Sequence, residues 1–326
     1  MVVGRNAAHL LIFALIVALS AAPLLVEEFI VHLLFILLIY VTLAQAFNIL
    51  AGFAGYLSLG HVVYYGIGMY VTAVMLKASG VPLAIACFLG ATFAAIFGLA
   101  TSIPLFKLRG ASFALGTLAV ATFMHTLFSQ EWLGLGGSTG MILRVPLSFS
   151  RLPFYYAALM LVLLISSVAK YIRQSRFGLA LLAIREDEDA AEVLGIKTLK
   201  EKLKAVGVSA FFTGLCGGIM ASYTRYVCPD NAFPLLISLQ MQFMPILGGL
   251  GTVVGPIIGA VALIAIDSFF TFTVKGLSVF FYALMIVLIM IFMPEGIWGT
   301  WLVRRRRVLL RNIGMLKDNG GSGNER

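Results

Sequence analysis

Hydrophobic residues along the chain fall into long blocks rather than into short alternating runs. The blocks cover residues 10–26, 29–50, 61–78, 83–105, 110–128, 153–173, 205–222, 235–250, 255–274 and 277–293. A helix of about 20 apolar residues crosses the hydrocarbon layer of a membrane. The pattern therefore predicts an all-α polytopic membrane protein with about ten transmembrane helices, several of them short or broken. The weakest block is 235–250, which holds Gln240, Gln242 and Pro245 and ends in "GGLG". It predicts a broken or tilted element. Arg5 and the "ALSAAP" stretch leave two readings of the first block, a cleaved signal peptide or a retained helix. The many spans that follow favour the retained helix.

Composition agrees with the blocks. Hydrophobic residues make up 61% of the chain, charged residues 11%, and mean hydropathy is +1.02. Soluble domains carry about 25% charged residues, so a soluble fold of this length is excluded. The net charge of +9 raises the question of a nucleic-acid partner, and its distribution answers it. With both termini on the cytoplasmic side, 18 of the 23 Lys and Arg fall in or beside segments 1–9, 51–60, 106–109, 174–204 and 294–326. That is the positive-inside bias of a membrane protein, and no nucleic acid is implied. "RRRR" at 304–307 anchors the last span and contacts anionic lipid. Residues 1–303 thus read as one transmembrane domain with a cytoplasmic insert at 174–204, followed by a basic, partly disordered tail at 304–326. Cys87, Cys216 and Cys228 show no paired spacing.

One stretch departs from the apolar pattern. Residues 170–204 hold eight basic and six acidic residues. "LALLAIREDEDAAEVLG" has good helix formers and no proline, and Gly195 suits a helix stop. On one helix, Ile184, Ala191 and Leu194 share a face, with Arg185, Asp189 and Glu192 on the other side. A surface helix of this kind suits docking into a groove on a cytoplasmic partner. A solvated loop that only fixes topology needs Lys and Arg, but it needs neither Glu186, Asp187, Glu188 and Asp189 nor a helix.

Two glycine-rich stretches flank the predicted spans. "NILAGFAGYLSLGH" carries Gly52, Gly55 and Gly60, and fits either a tight turn between packed helices or a substrate-contacting break. "ILGGLGTVVGPIIGA" carries Gly248, Gly249, Gly251, Gly255 and Gly259, the last three at every fourth residue, which predicts close helix packing. Neither is a phosphate loop, because no Lys-Ser/Thr follows; if ATP drives the protein, ATP and magnesium are bound by another subunit. Polar residues available to a translocation path are Gln45, Asn48, Ser58, His61, Thr117, Gln240 and Gln242; each also fits a helix–helix hydrogen bond. Asp267 is an acid inside a predicted span, either a functional carboxylate or an interfacial one near Lys275. His61 and His125 stand alone, so no metal site is predicted, and no nucleophile–base pair is present for catalysis.

With these pieces in order, the chain resembles the inner-membrane permease subunits of ATP-driven importers for branched-chain amino acids, the M-type above all. The matching pieces are "NILAGFAGYLSLGH", "KLRGASFALGTLAVA", "GGSTG", "SRFGLALLAIREDEDAAEVLGI", "VCPDNAF", "ILGGLGTVVGPIIGA" and "MPEGIWG". The resemblance implies a bacterial inner-membrane location, a second homologous permease, two cytoplasmic ATPases and a periplasmic substrate-binding protein. It implies that Arg185, Glu186, Asp187, Glu188, Asp189, Ala190, Ala191, Glu192 and Gly195 belong to the segment that couples to the ATPase. It also turns the loop around Gly136–Gly140 toward the binding protein. Val and Tyr at 62–65, where the family often has Ala and Phe, and Cys228 before Pro229 depart from the pattern and bear on cargo, for which urea or short amides are the family's alternatives. An ion-coupled secondary transporter using Asp267 is the rival outside the family.

Overall fold

The computed structural model describes residues 17–23, 25–79, 81–143, 151–273 and 296–300, with single positions at 14, 284 and 287. Part of block 10–26, most of block 277–293 and the tail 304–326 lie outside the described residues. The helices are α1 (Glu28–Asn48), α2 (Val62–Ser79), α3 (Leu83–Leu105), α4 (Ala111–Phe128), α5 (Leu152–Gln174), α6 (Arg176–Glu186), α7 (Glu188–Val193), α8 (Thr198–Thr224), α9 (Pro229–Ala232), α10 (Leu235–Gly248) and α11 (Gly255–Thr273). Eight of the ten apolar blocks thus correspond to helices. Among the described residues, five helices are long and apolar enough to cross a membrane, and the apolar stretches Val62–Ala78 and Gly255–Phe269 are shorter.

Local chemistry sets the boundaries. Pro82 precedes α3, and a proline lies in the first turn of α5, where the missing N–H is no loss. Between α3 and α4 the chain reverses through Gly110, whose φ of 56° is open to glycine without strain. Pro245 sits inside α10 without ending it. That block is a short helix, stopped at Gly248–Gly249 rather than at its proline. α8 starts at Thr198, earlier than the apolar block at 205, because Lys202 is buried and paired within its first turns.

α8 packs centrally against α2 and α3, with α1 alongside, while α10 and α11 pack on each other and on α1. In a membrane, close van der Waals contact between small residues drives such packing. A Cβ at Gly68 would lie 2.1 Å from the Gly214 carbonyl oxygen, and one at Gly217 would lie 2.0 Å from that of Tyr65. The α10–α11 contact has the same character: Gly248 abuts the Gly255 carbonyl, and Gly259 abuts that of Met244. The expected row of Gly251, Gly255 and Gly259 is cut short, however. Gly251 lies in the turn between the helices at φ 77°, before α11 begins.

The polar segments gather at two opposite ends. Residues 49–61, 106–110, 175–197 and 249–254 contact one another at one end. At the other, β1 (Met141–Ile142) pairs antiparallel with β2 (Tyr226–Val227), and His125 Nε2 lies 2.9 Å from Asp230 Oδ1. "GGSTG" is folded onto "VCPDNAF", since a Cβ at Gly140 would meet the Val227 carbonyl at 2.5 Å. The loop is therefore a built surface, with Trp132 and Ile142 exposed.

Candidate functional site

The charged insert is two helices, not one. The Ser175 side chain accepts from Gly178 N at 3.2 Å and starts α6. Asp187 is extended (φ −157°, ψ 113°), and its carboxylate accepts from Ala190 N at 3.0 Å, which starts α7. An aspartate N-cap inside the run satisfies free N–H groups that a continuous helix would not have. The chain leaves α7 at Gly195, φ 84°. The break re-aims α7, so the faces read from one helical wheel do not hold. Ile184 and Ala191 are buried as expected, but Leu194 is 79% exposed and Val193 88%.

Arg185 stays exposed but is tied to the body. Its Nη1 donates to the Gly52 carbonyl at 2.7 Å. Gly52 sits in a π-turn, Ile49–Phe53, that ends α1. Asn48 Oδ1 accepts from Gly251 N at 2.9 Å, Asn48 Nδ2 donates to the Thr252 carbonyl at 2.8 Å, and Gln45 Nε2 donates to that of Val253 at 2.6 Å. The two glycine-rich breaks are thus stapled together, and Arg185 closes over the joint. A Cβ at Gly251 would lie 2.6 Å from Arg185 Nη1, and one at Gly55 (φ 79°) would lie 3.0 Å from Arg185 Cγ. Only glycine admits the guanidinium so near both breaks.

Glu188 makes the second attachment. Its carboxylate accepts from the Tyr56 hydroxyl and, at 2.5 Å, from Lys202 Nζ. Lys202 is 2% exposed, and its ammonium lies 4.8 Å from the centre of the Tyr56 ring and 4.9 Å from that of Phe106. Burial pushes the Glu188 carboxyl up. Hydrogen bonds from Lys202 and Tyr56, with the charges of Lys202 and Arg109, more than offset this and hold it below its ordinary value. The Tyr56 hydroxyl is pushed up by burial and by its bond to Glu188. The third attachment is exposed: Arg109 forks onto Asp189 at 2.8 and 3.0 Å, and that hydrogen bonding and charge keep Asp189 low. Glu192 accepts from Thr198 Oγ1 at 2.6 Å, tying α7 to the start of α8.

The other candidates lie in the body. Asn48, Ser58 and His61 are fully buried. Ser209 Oγ donates to the Ala46 carbonyl at 2.5 Å, which leaves its oxygen to accept from His61 Nε2 at 2.9 Å. Gly60 abuts the Thr117 carbonyl. Gln240 and Gln242 are buried on α10, and Gln242 Nε2 donates to Ser238 O at 3.3 Å. Asp267 lies in the second half of α11. Sequence reasoning missed Tyr56, Val193 and Lys202, and took Arg109 only as a topological charge. No local signal sets Lys202 apart from Lys197, Lys200 and Lys204.

The arrangement defines a multi-pass membrane protein whose helices break at one end and are held there by a charged two-helix arm. The model of the family described as branched-chain amino acid transport system / permease component matches residues 29–292, and the chain belongs to that family. The high-affinity branched-chain amino acid transport system permease protein LivM of Escherichia coli (strain K12) is 27% identical over 318 residues, covering 88% of this chain and 74% of LivM. LivM of Salmonella typhimurium is 28% identical over the same shares. The probable branched-chain amino acid transport permease protein LivH of Methanocaldococcus jannaschii is 24% identical over 267 residues, 76% of this chain and 84% of LivH. No solved structure matches the chain. The protein is a transmembrane permease component of a transport system, a multi-pass protein of the inner membrane, and not itself an enzyme.

Proposed function

We propose that the chain forms half of the translocation path of an ATP-driven importer for branched-chain amino acids, and that residues 175–196 are its lever. The observation that carries the lever is its two-sided construction. Arg185 and Glu188 are bonded into the body at the stapled breaks, while Val193 and Leu194 stand bare at the tip. Apolar side chains projecting from the polar end of a membrane protein favour a protein groove as their partner. In this reading, ten spans place both termini and the lever in the cytoplasm, in keeping with the charge bias. A second homologous permease completes the path, two ATPases bind ATP and magnesium and grip the lever, and a periplasmic binding protein delivers cargo to the folded 129–143 surface. Leucine, isoleucine and valine are the cargo that the family and the LivM relatives favour. ATP-driven closure displaces the lever and opens the path by alternating access.

Reconstitution tests this directly. Vesicles holding the complete importer should accumulate labelled leucine only with ATP on the lever side and binding protein on the other. Uptake that survives removal of the ATPases and collapses with an ion gradient would make the chain a secondary transporter. Proline at either of two positions breaks the lever. Ala190 N donates to the Asp187 carboxylate at 3.0 Å, so Ala190→Pro removes the cap that starts α7. Ala191 N donates to the Asp187 carbonyl at 3.0 Å, so Ala191→Pro should abolish coupled ATP turnover while membrane insertion persists.

A further inference from the structure

Four attachments hold the lever, and they end on different things. Arg185 ends on a backbone carbonyl of the π-turn. Asp189 ends on Arg109, an exposed side chain in the connection between α3 and α4. Glu192 and Glu188 end on buried side chains of α8, Glu192 on the neutral hydroxyl of Thr198 at its first residue and Glu188 on the charged Lys202 one turn further in. We propose that Lys202 is the positioning residue that passes displacement of the lever into α8, an inference that rests on the lever reading above.

The environment of Lys202 makes it suited to this. Its ammonium is held by Glu188 at 2.5 Å and lies 3.1 Å from the Tyr56 hydroxyl, with the Tyr56 and Phe106 rings against it. Water has little access, so the cation cannot follow a retreating carboxylate halfway. A buried pair broken on one side leaves an uncompensated charge, which is far worse than either the joined or the fully rehydrated arrangement. The proposal therefore requires two discrete arrangements of the contact, the joined one seen here and a fully rehydrated one. Downstream, α8 is rigidly seated. One turn on, Ala205 and Val206 are fully buried; Ser209 then bonds to the Ala46 carbonyl and His61, and Gly214, Gly217 and Gly218 lie backbone to backbone against α2 and α3. A pull at Lys202 consequently reaches α1, α2 and α3 without a compliant link. The exposed Arg109–Asp189 pair has no such leverage, because solvent screens it and both partners can rehydrate.

The test uses the complete importer in vesicles with loaded binding protein and labelled leucine. Each preparation is first checked by crosslinking Leu194→Cys to the ATPase. Absence of that crosslink in the otherwise unaltered protein would overturn the lever reading, and this inference with it. Given the crosslink, Lys202→Met should retain it and retain basal ATP hydrolysis, but lose stimulation by the binding protein and lower import per ATP by about tenfold. Lys202→Arg should restore most of the stimulation. Import per ATP unchanged in Lys202→Met would overturn the proposal. So would loss of import, ATP hydrolysis and assembly in equal proportion in both Lys202→Met and Lys202→Arg, since that is the mark of a merely structural residue. Should Lys202→Met alone fail to assemble, the exchanged pair Glu188→Lys with Lys202→Glu decides: recovered stimulation supports transmission through the pair, and an assembled but unstimulated complex contradicts it.

Discussion

The two faces of the proposed lever are built from opposite materials. Its inner face is ionic: Arg185 on the π-turn carbonyl, and Glu188 between Tyr56 and Lys202. Its tip is apolar, Val193 and Leu194. Charges in such an insert are usually taken as the part offered to a partner. Here Glu188 is turned onto the buried Lys202, where low dielectric makes an ion pair directional and stiff, and Arg185, though exposed, is bonded to the Gly52 carbonyl. What is left for a partner is a small hydrophobic knob, which a groove can bury with little desolvation of charge. A lever benefits from this division, since the joint to the body has to transmit force and the tip has only to be held.

The largest expected effect comes from spoiling the ionic face. Glu188→Ala leaves Lys202 buried with only Tyr56 for company. Breaking one side of a buried pair costs about 3–5 kcal/mol, and thermal unfolding of the purified chain should shift by an amount at the lower end of that range. Unchanged stability would mean that the ionic face is no firmer than the tip. Next comes the joint. Gly251→Ala places a Cβ in the left-handed region, worth about 1–2 kcal/mol, and 2.6 Å from Arg185 Nη1. Coupled ATP turnover should fall further than stability does, because Arg185 has to leave the Gly52 carbonyl. Smaller still is the response to acid. Glu188 is held below its ordinary value of 4.5, so its stabilisation is complete above that value and is lost as pH falls through the depressed one. Hydrogen exchange across 186–195, corrected for intrinsic rates, should be flat from pH 8 to 6 and rise only below about 4.5. The exposed Asp189→Ala should change coupled turnover least, by less than about twofold.

Much of the body was legible in the sequence. Eight apolar blocks returned as helices because block length is a direct consequence of bilayer thickness. The stretch around Gly52 was legible as a turn or a break, whereas Gly251 read as part of a helix-packing row and lies in a turn. Their stapling by Asn48 and Gln45 was not, because a polar residue in a span gives no hint of which distant carbonyl it faces. The lever was legible as a charged helical insert, and its facing was not. Asp187 reads equally well as a mid-helix acid and as a cap, and only tertiary contacts choose the cap. That choice sets Arg185 on the Gly52 carbonyl and leaves Leu194 outward. Lys202 was hidden for a related reason: it sits among four lysines between 197 and 204, and nothing local separates the buried one from the three others.

The central claim is that the apolar tip of the lever is held by a separate ATP-hydrolysing subunit. Cys87, Cys216 and Cys228 are all buried, so a cysteine at Leu194 gives a site-specific handle in the complete complex. The account predicts that Leu194→Cys crosslinks to the ATPase in the membrane, with a yield that changes between the nucleotide-free and ATP-bound states, and that it resists impermeant thiol reagents added from the binding-protein side. Free labelling of Leu194→Cys from that side, with no crosslink to the ATPase in any nucleotide state, would contradict it.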